Sequence, residues 1–222
     1  MTVPARRWQL VDRAGEAQSL HDLDLGTGRG VWRLTVERPT LVLGSTQSTE
    51  VLDADRVAAS GVAVARRRSG GGVVGLVPGG SLWLDVVVPR GDPLWTDDVG
   101  RSFLWLGAAW CEVLGSAGVE ATMVDRPVRD RPWDRLVCFA GLGSGEVVID
   151  GAKVVGLSQR RTRTAARLQS LVLLDPSLAL VIDHLALADA DRRRLRSEAE
   201  TMTAPAPLGA DQLLERFTAQ LP

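Results

Sequence analysis

The sequence contains a single lysine, Lys153, among 26 basic residues, so the other 25 are arginine. Asparagine and tyrosine are absent, and isoleucine occurs only at Ile149 and Ile182. This joint scarcity suggests a genome that avoids AT-rich codons, under which arginine replaces lysine wherever only positive charge is wanted. A lysine kept against that bias is expected to do what guanidinium cannot. It offers a compact point charge on a flexible stem, with three donors that converge on one oxyanion. The competing reading is a chance surface lysine. Two cysteines, Cys111 and Cys138, are too few for a disulfide framework and fit a reducing cytoplasm. The two histidines, His21 and His184, lie in no motif and read as structural. No apolar run approaches the roughly 18 residues of a membrane span, and no apolar segment follows Arg6 and Arg7 as in a signal peptide. A net charge of −1 argues against nucleic acid as the main partner. The expectation is a soluble, cytoplasmic chain of 222 residues with a real core and no metal site.

Apolar spacing predicts a helix over 12–24, strands over 31–36 and 40–43, and a short helix over 53–60 stopped by Gly61. Residues 62–67 alternate as a strand, run into Ser69-Gly70-Gly71-Gly72 and resume at Val73. Leu82, Leu84, Val86 and Val88 define one face of a longer strand. Phe103, Leu106, Trp110, Val113 and Ala117 give an amphipathic helix over about 98–117, with Cys111 read as core. After a strand over 119–124 comes an Arg/Pro/Asp loop. A hairpin is predicted over 146–159, turning at Asp150-Gly151, a dipeptide suited to φ > 0. One more strand over 168–174 precedes three helices around 177–188, 190–203 and 210–220. Strands with interspersed helices and no regular βαβ series predict an α+β fold, a mixed sheet with flanking helices.

Two stretches carry chemistry. Arg66-Arg67-Arg68 stand before Ser69-Gly70-Gly71-Gly72, and glycine lets backbone amides approach phosphate or carboxylate oxygens. No Lys-Ser/Thr follows, so this is not a Walker A loop. The alternative is a glycine-rich bulge with a solvated basic edge. Downstream, Lys153 lies on the predicted strand that also bears Gly156 and Ser158.

Arg-Arg-x-Ser-Gly-Gly-Gly-x-Val followed about 80 residues later by Gly-x-Lys-x-x-Gly-x-x-Gln resembles the catalytic domain of lipoate–protein ligases. Leu43-Gly44-Ser45-Thr46-Gln47 upstream is similar to that family's segment before its first ligand-binding helix. The superfamily includes biotin protein ligases and octanoyltransferases. The resemblance covers roughly residues 10–185 and implies their α+β fold with an acyl chain in an apolar tunnel; the expected organisation is a single catalytic domain, 1–222, with 176–222 a helical C-terminal extension. The resemblance also implies ATP with Mg2+, adenylation of lipoic or octanoic acid, and attack by a lysine of a lipoyl domain. That domain belongs to a 2-oxoacid dehydrogenase or to the glycine cleavage carrier protein. Carried over by position, Arg67 or Arg68 with Ser69, Gly70, Gly71 and Gly72 would cradle the acyl and phosphate region. Lys153 would hold the developing negative charge, Gly156 would leave room for the ligand, and Ser158 would complete the substrate contacts. The chain departs from the ligases at Gly75-Leu76-Val77-Pro78-Gly79, where they usually carry a His-Asp-Leu-Gly-Asn type segment. A His-Gly pair expected near Gln169-Ser170 is also missing.

A second resemblance competes. Cys138-Phe139, then Glu146, then Lys153 is similar to the cysteine-dependent octanoyltransferases of the same superfamily. In that branch a thiolate takes the acyl group from an acyl carrier protein or a lipoyl protein, with no cofactor. Arg131, Arg135 and Lys153 are candidate neighbours that would lower the thiol's pKa. A buried strand cysteine is the plainer alternative, and a non-catalytic acyl- or nucleotide-binding protein of the same fold is the third reading.

Overall fold

In a computed structural model the structure describes residues 8–128 and 133–222. The first half contains β1 (Gln9–Gly15), α1 (Ala17–Asp22), β2 (Gly30–Val36), β3 (Thr40–Leu43), α2 (Ala54–Ser60), β4 (Ala63–Arg66), β5 (Val74–Leu76) and β6 (Ser81–Pro89). The second half contains α3 (Leu104–Gly115), β7 (Thr122–Met123), β8 (Val147–Ile149), β9 (Ala152–Arg161), β10 (Ala165–Leu173), α4 (Ala179–His184), α5 (Asp189–Met202) and α6 (Ala210–Ala219). The seven-stranded sheet runs β1-β2-β6-β10-β9-β8-β7, and β4-β3-β5 forms a second, three-stranded sheet. Both mix parallel and antiparallel pairs, as expected of an α+β fold.

The alternation of β6 sends Leu82, Leu84, Val86 and Val88 into one buried cluster with Trp110 and Val113 of α3 and with Leu213 and Phe217 of α6. Phe217 stacks on Trp110 at 4.5 Å. The helices α4, α5 and α6 all pack into the cores: α4 and α5 supply Ile182, Leu195 and Met202 to a cluster under Phe139. Burying such side chains stabilises the fold by about 1.5–3 kcal/mol each. The opposite face of β6, with Trp83, meets α1 and the small sheet.

Three expectations are corrected. Residues 12–24 are not one helix: β1 pairs in parallel with β2 through Gly15, and only Ala17–Asp22 is helical. The largely exposed β1 is a sheet edge, so its sequence lacks a buried face to announce it. The helix predicted over 98–117 is confined to 104–115, because Asp98 caps turns at Gly100 and Arg101 instead of continuing a helix. The strand expected over 119–124 shrinks to two residues. The hairpin turns as read, with Asp150 at φ 50° and Gly151 at φ 81°. Arg131 lies outside the described residues.

Candidate functional site

A regular strand would place Lys153 and Gly156, three residues apart, on opposite faces. The structure resolves this with a β-bulge. Val147 pairs with Val155 but Val148 pairs with Lys153, so Val154 is the extra residue. Val154 and Val155 both enter the core behind the sheet. Lys153 is thereby free to turn toward the segment that carries Cys138. Its side chain is 1% exposed, its Nζ lies 2.7 Å from Glu146 Oε2, and it donates to the carbonyl of Cys138 at 2.9 Å. Glu146 is itself fixed, accepting from the backbone N–H of Gly143 (2.6 Å) and of Leu157 (3.3 Å). Two of the ammonium's three donors are thus committed.

Cys138 is half-buried and begins a 3-10 turn that ends at Ala140. The glycine loop holds it in place. Leu136 accepts from Val73 N at 2.8 Å and Cys138 N donates to Val73 O at 3.0 Å. A Cβ on Gly72 would sit 2.6–2.7 Å from backbone atoms of Leu136, Val137 and Cys138, so only glycine permits this approach. A Cβ on Gly71 would lie 3.8 Å from Cys138 Sγ. Gln47 clamps the same region, accepting from Gly44 N and donating to the carbonyls of Arg135 and Leu136.

The predicted site residues divide into two groups. Arg67 is buried and donates to the carbonyls of Val42, Gly70 and Gly72, so it shapes the glycine loop from beneath. Arg68 is exposed and pairs with Asp22. The room left by Gly156 is taken by the ring of Phe139, whose Cζ would be 3.1 Å from a Cβ there. Ser69 and Ser158 meet hydroxyl to hydroxyl at 3.1 Å, and both approach Gln169 Oε1. Gln169 in turn donates to Asp85, which pairs with Arg167 in the interior.

Cys138 lies where two spaces meet. On one side a narrow, mostly apolar cavity of about 50 Å3 runs between the sheets, walled by Leu76, Trp83, Phe139, Gly156 and Leu171. On the other is a wide cleft of about 860 Å3 with a mixed lining, bordered by Gln47, Gly71, Arg135, Glu146 and Lys153. His21, which reads as structural from the sequence alone, lines the apolar cavity. Burial, with Arg167 and Arg67 adding repulsion, pushes its pKa down to about 3, so the ring is neutral near pH 7. Trp83 and Leu171 are in no motif, because an apolar wall has no spacing signature.

A third space of about 730 Å3 is bordered by Arg66, Arg68, Arg160 and Arg161. Desolvation and the neighbouring Arg68 and Arg167 lower the pKa of Arg160. A nucleotide's phosphates would meet Arg66, Arg160 and Arg161 here, while Arg68 is paired with Asp22. Asp22 on the rim is a carboxylate of the kind Mg2+ takes together with phosphates. Among the described residues no group of three or more His, Cys, Asp or Glu side chains is placed to hold a metal ion. No helix among them is long and apolar enough to cross a membrane.

An apolar slot between two sheets, a glycine loop and a buried lysine together mark the candidate site of this α+β domain. The chain belongs to the lipoyl protein ligase A/B catalytic domain family, whose profile matches residues 14–213. It is 30% identical over 132 residues to the octanoyltransferase LipM of Macrococcus caseolyticus, covering 56% of this chain and 46% of that protein. To the octanoyltransferase LipM of an Exiguobacterium species it is 28% identical over 186 residues, covering 78% and 62%. The chain thus matches about half to three fifths of the length of these relatives. Its fold is that of the bipartite lipoate protein ligase of Thermoplasma acidophilum (TM-score 0.73, 19% identity, 96% of this chain and 81% of that one). It also matches lipoate-protein ligase A solved with ATP (TM-score 0.70, 18% identity, 96% of this chain and 83% of that one).

Proposed function

We propose that this chain is a single catalytic domain that transfers an octanoyl or lipoyl group through Cys138 to a lysine of a lipoyl domain. The observation that carries this reading is the position of Cys138, on the boundary between the apolar cavity and the cleft that holds Lys153. The Cys138 thiolate attacks the carbonyl carbon of a thioester borne by a carrier protein. The C–S bond to the carrier then breaks, and the carrier leaves as a free thiol. The ε-amino group of the acceptor lysine attacks the new thioester, an amide forms and the Cys138 thiol is restored. Both steps pass through an oxyanion, and the uncommitted donor of Lys153 is available to it. The LipM relatives support this route over adenylation.

The test is intact-mass analysis after incubation with an octanoyl-loaded acyl carrier protein. An adduct of one octanoyl group, absent in Cys138→Ser, is expected. The arginine-lined cleft favours a second reading, ligation through an acyl-adenylate with ATP. Pyrophosphate release that depends on octanoate and persists in Cys138→Ser would establish that reading instead.

A further inference from the structure

Two rows of residues cross the site face of the large sheet. Gly156 on β9 pairs with Leu171 on β10, which pairs with Trp83 on β6. Ser158, Gln169 and Asp85 form the next row along the same three strands. The first row is the apolar one, and Phe139, the neighbour of Cys138, covers its Gly156 end. The other end is closed by the indole of Trp83 and the imidazole of His21, whose centroids are 4.5 Å apart. From Gly156 to Trp83 is two strand spacings, about 10 Å, the reach of an extended chain of about eight carbons.

We propose that His21 and Trp83 form the stop at the far end of the acyl cavity and so set the length of chain this site accepts. The inference rests on the acyl-binding reading above. The cavity is narrower than the chain it would hold, so a bound chain has to displace some of its walls. Leu157, which lines both this cavity and the wide cleft, is only partly buried. Trp83 is pinned: its Nε1 donates to Asp85 Oδ1 at 2.8 Å, and Asp85 is wholly buried against Arg167. His21 stands on the short helix α1, packed against that pinned indole. Its Nε2 finds no hydrogen-bond partner among the described residues, so packing holds the ring. An end closed by an indole and an uncharged imidazole suits a methyl or dithiolane terminus.

The probes are His21→Ala, which opens the end, and His21→Trp, which shortens it. Acyl-enzyme formation is measured with carrier protein loaded with C6, C8, C10 or C12 chains. In parallel, binding of the free fatty acids of the same lengths is measured by calorimetry. For His21→Ala the C10:C8 ratio of kcat/KM should rise about tenfold, as expected from two more buried methylenes. For His21→Trp the C6:C8 ratio should rise by a similar factor. An equal fall at every length, or an unchanged profile, would overturn the stop while leaving the Cys138 route standing. A length shift in fatty-acid binding without any acyl-enzyme would keep the stop and remove the thioester route. If wild type binds none of these acids and takes up no acyl group, both are wrong.

Discussion

Lys153 and Glu146 form an ion pair whose side chains are 1% and 6% exposed, which makes the pair separable by mutation into a structural and a chemical part. Lys153→Met keeps the stem and deletes the charge. Glu146 is then left buried with only the N–H groups of Gly143 and Leu157 as donors. Removing one member of a buried pair costs about 3–5 kcal/mol because the other charge is stranded. In a domain of this size that corresponds to a fall in Tm of roughly 6–20 °C. Glu146→Gln should cost a similar amount by stranding the ammonium. The double variant Lys153→Met/Glu146→Gln removes both charges while an amide oxygen remains for the backbone donors. It should recover to within about 1.5 kcal/mol of wild type. Activity should not recover with it. Loss of one oxyanion donor lowers turnover by about 10²–10³-fold, and the double variant still lacks that donor. The assays are thermal unfolding and single-turnover acylation of Cys138 followed by mass. Lys153→Arg should fail in both, since a planar fork cannot replace three converging donors in this space. A double variant that regains both stability and rate would refute the assignment of Lys153 to chemistry. A single variant whose Tm moves by a degree or less would refute the burial argument.

Gly72→Ala forces a Cβ within 2.7 Å of backbone on the Cys138 segment, so acylation should fall by about tenfold or more, as a displaced nucleophile requires. Gly70→Ala, with nothing within 4 Å of its Cβ position, should leave the rate unchanged, and equal effects of the two would contradict the close-approach argument. The lowered pKa of His21 makes a prediction about acid stability. The unfolded chain binds a proton below about 6.5, whereas the folded ring does so only near 3, so stability is complete above 6.5 and is lost as pH falls through that window. Between pH 7 and pH 5 this group alone should remove about 2 kcal/mol, read as a shift in the urea midpoint, and His21→Leu should lack that share. Arg67→Lys cannot span the carbonyls of Val42, Gly70 and Gly72 together, and should lower Tm by several degrees and slow acylation without altering chain-length preference.

The elements that bury a face could be read from the sequence because burial imposes a period. The alternation of β6 and the stripe of Leu106, Trp110 and Val113 on α3 both appear in the core as read. The misreadings fall where burial imposes none. β1 is an exposed edge strand whose partner is distant Gly30–Val36 backbone, and its own side chains do not record that pairing. Asp98 to Phe103 carry helix-compatible spacing, yet the side chain of Asp98 satisfies backbone donors locally and wins over propagation of α3.

The site shows the same division more sharply. Lys153 stood out by composition, and the motif order paired it with Gly70 to Gly72, but neither observation specifies which face of β9 it uses. Strict alternation from Gly156 would have sent it into the core behind the sheet. The extra residue that corrects this, Val154, is an ordinary β-branched side chain buried beside Val155, and nothing in its identity marks a bulge. A lysine amine behind the sheet would face Leu106, Trp110 and Val113 with no carboxylate, at a desolvation cost no local contact offsets. The bulge becomes favourable only once Glu146 and the Cys138 carbonyl are brought opposite it, by the 3-10 turn and the glycine loop on other parts of the chain. Cys138 and Lys153 are therefore one assembled unit, and a deletion of Val154 that straightened β9 should abolish acylation of Cys138, read by intact mass, even though it touches neither residue.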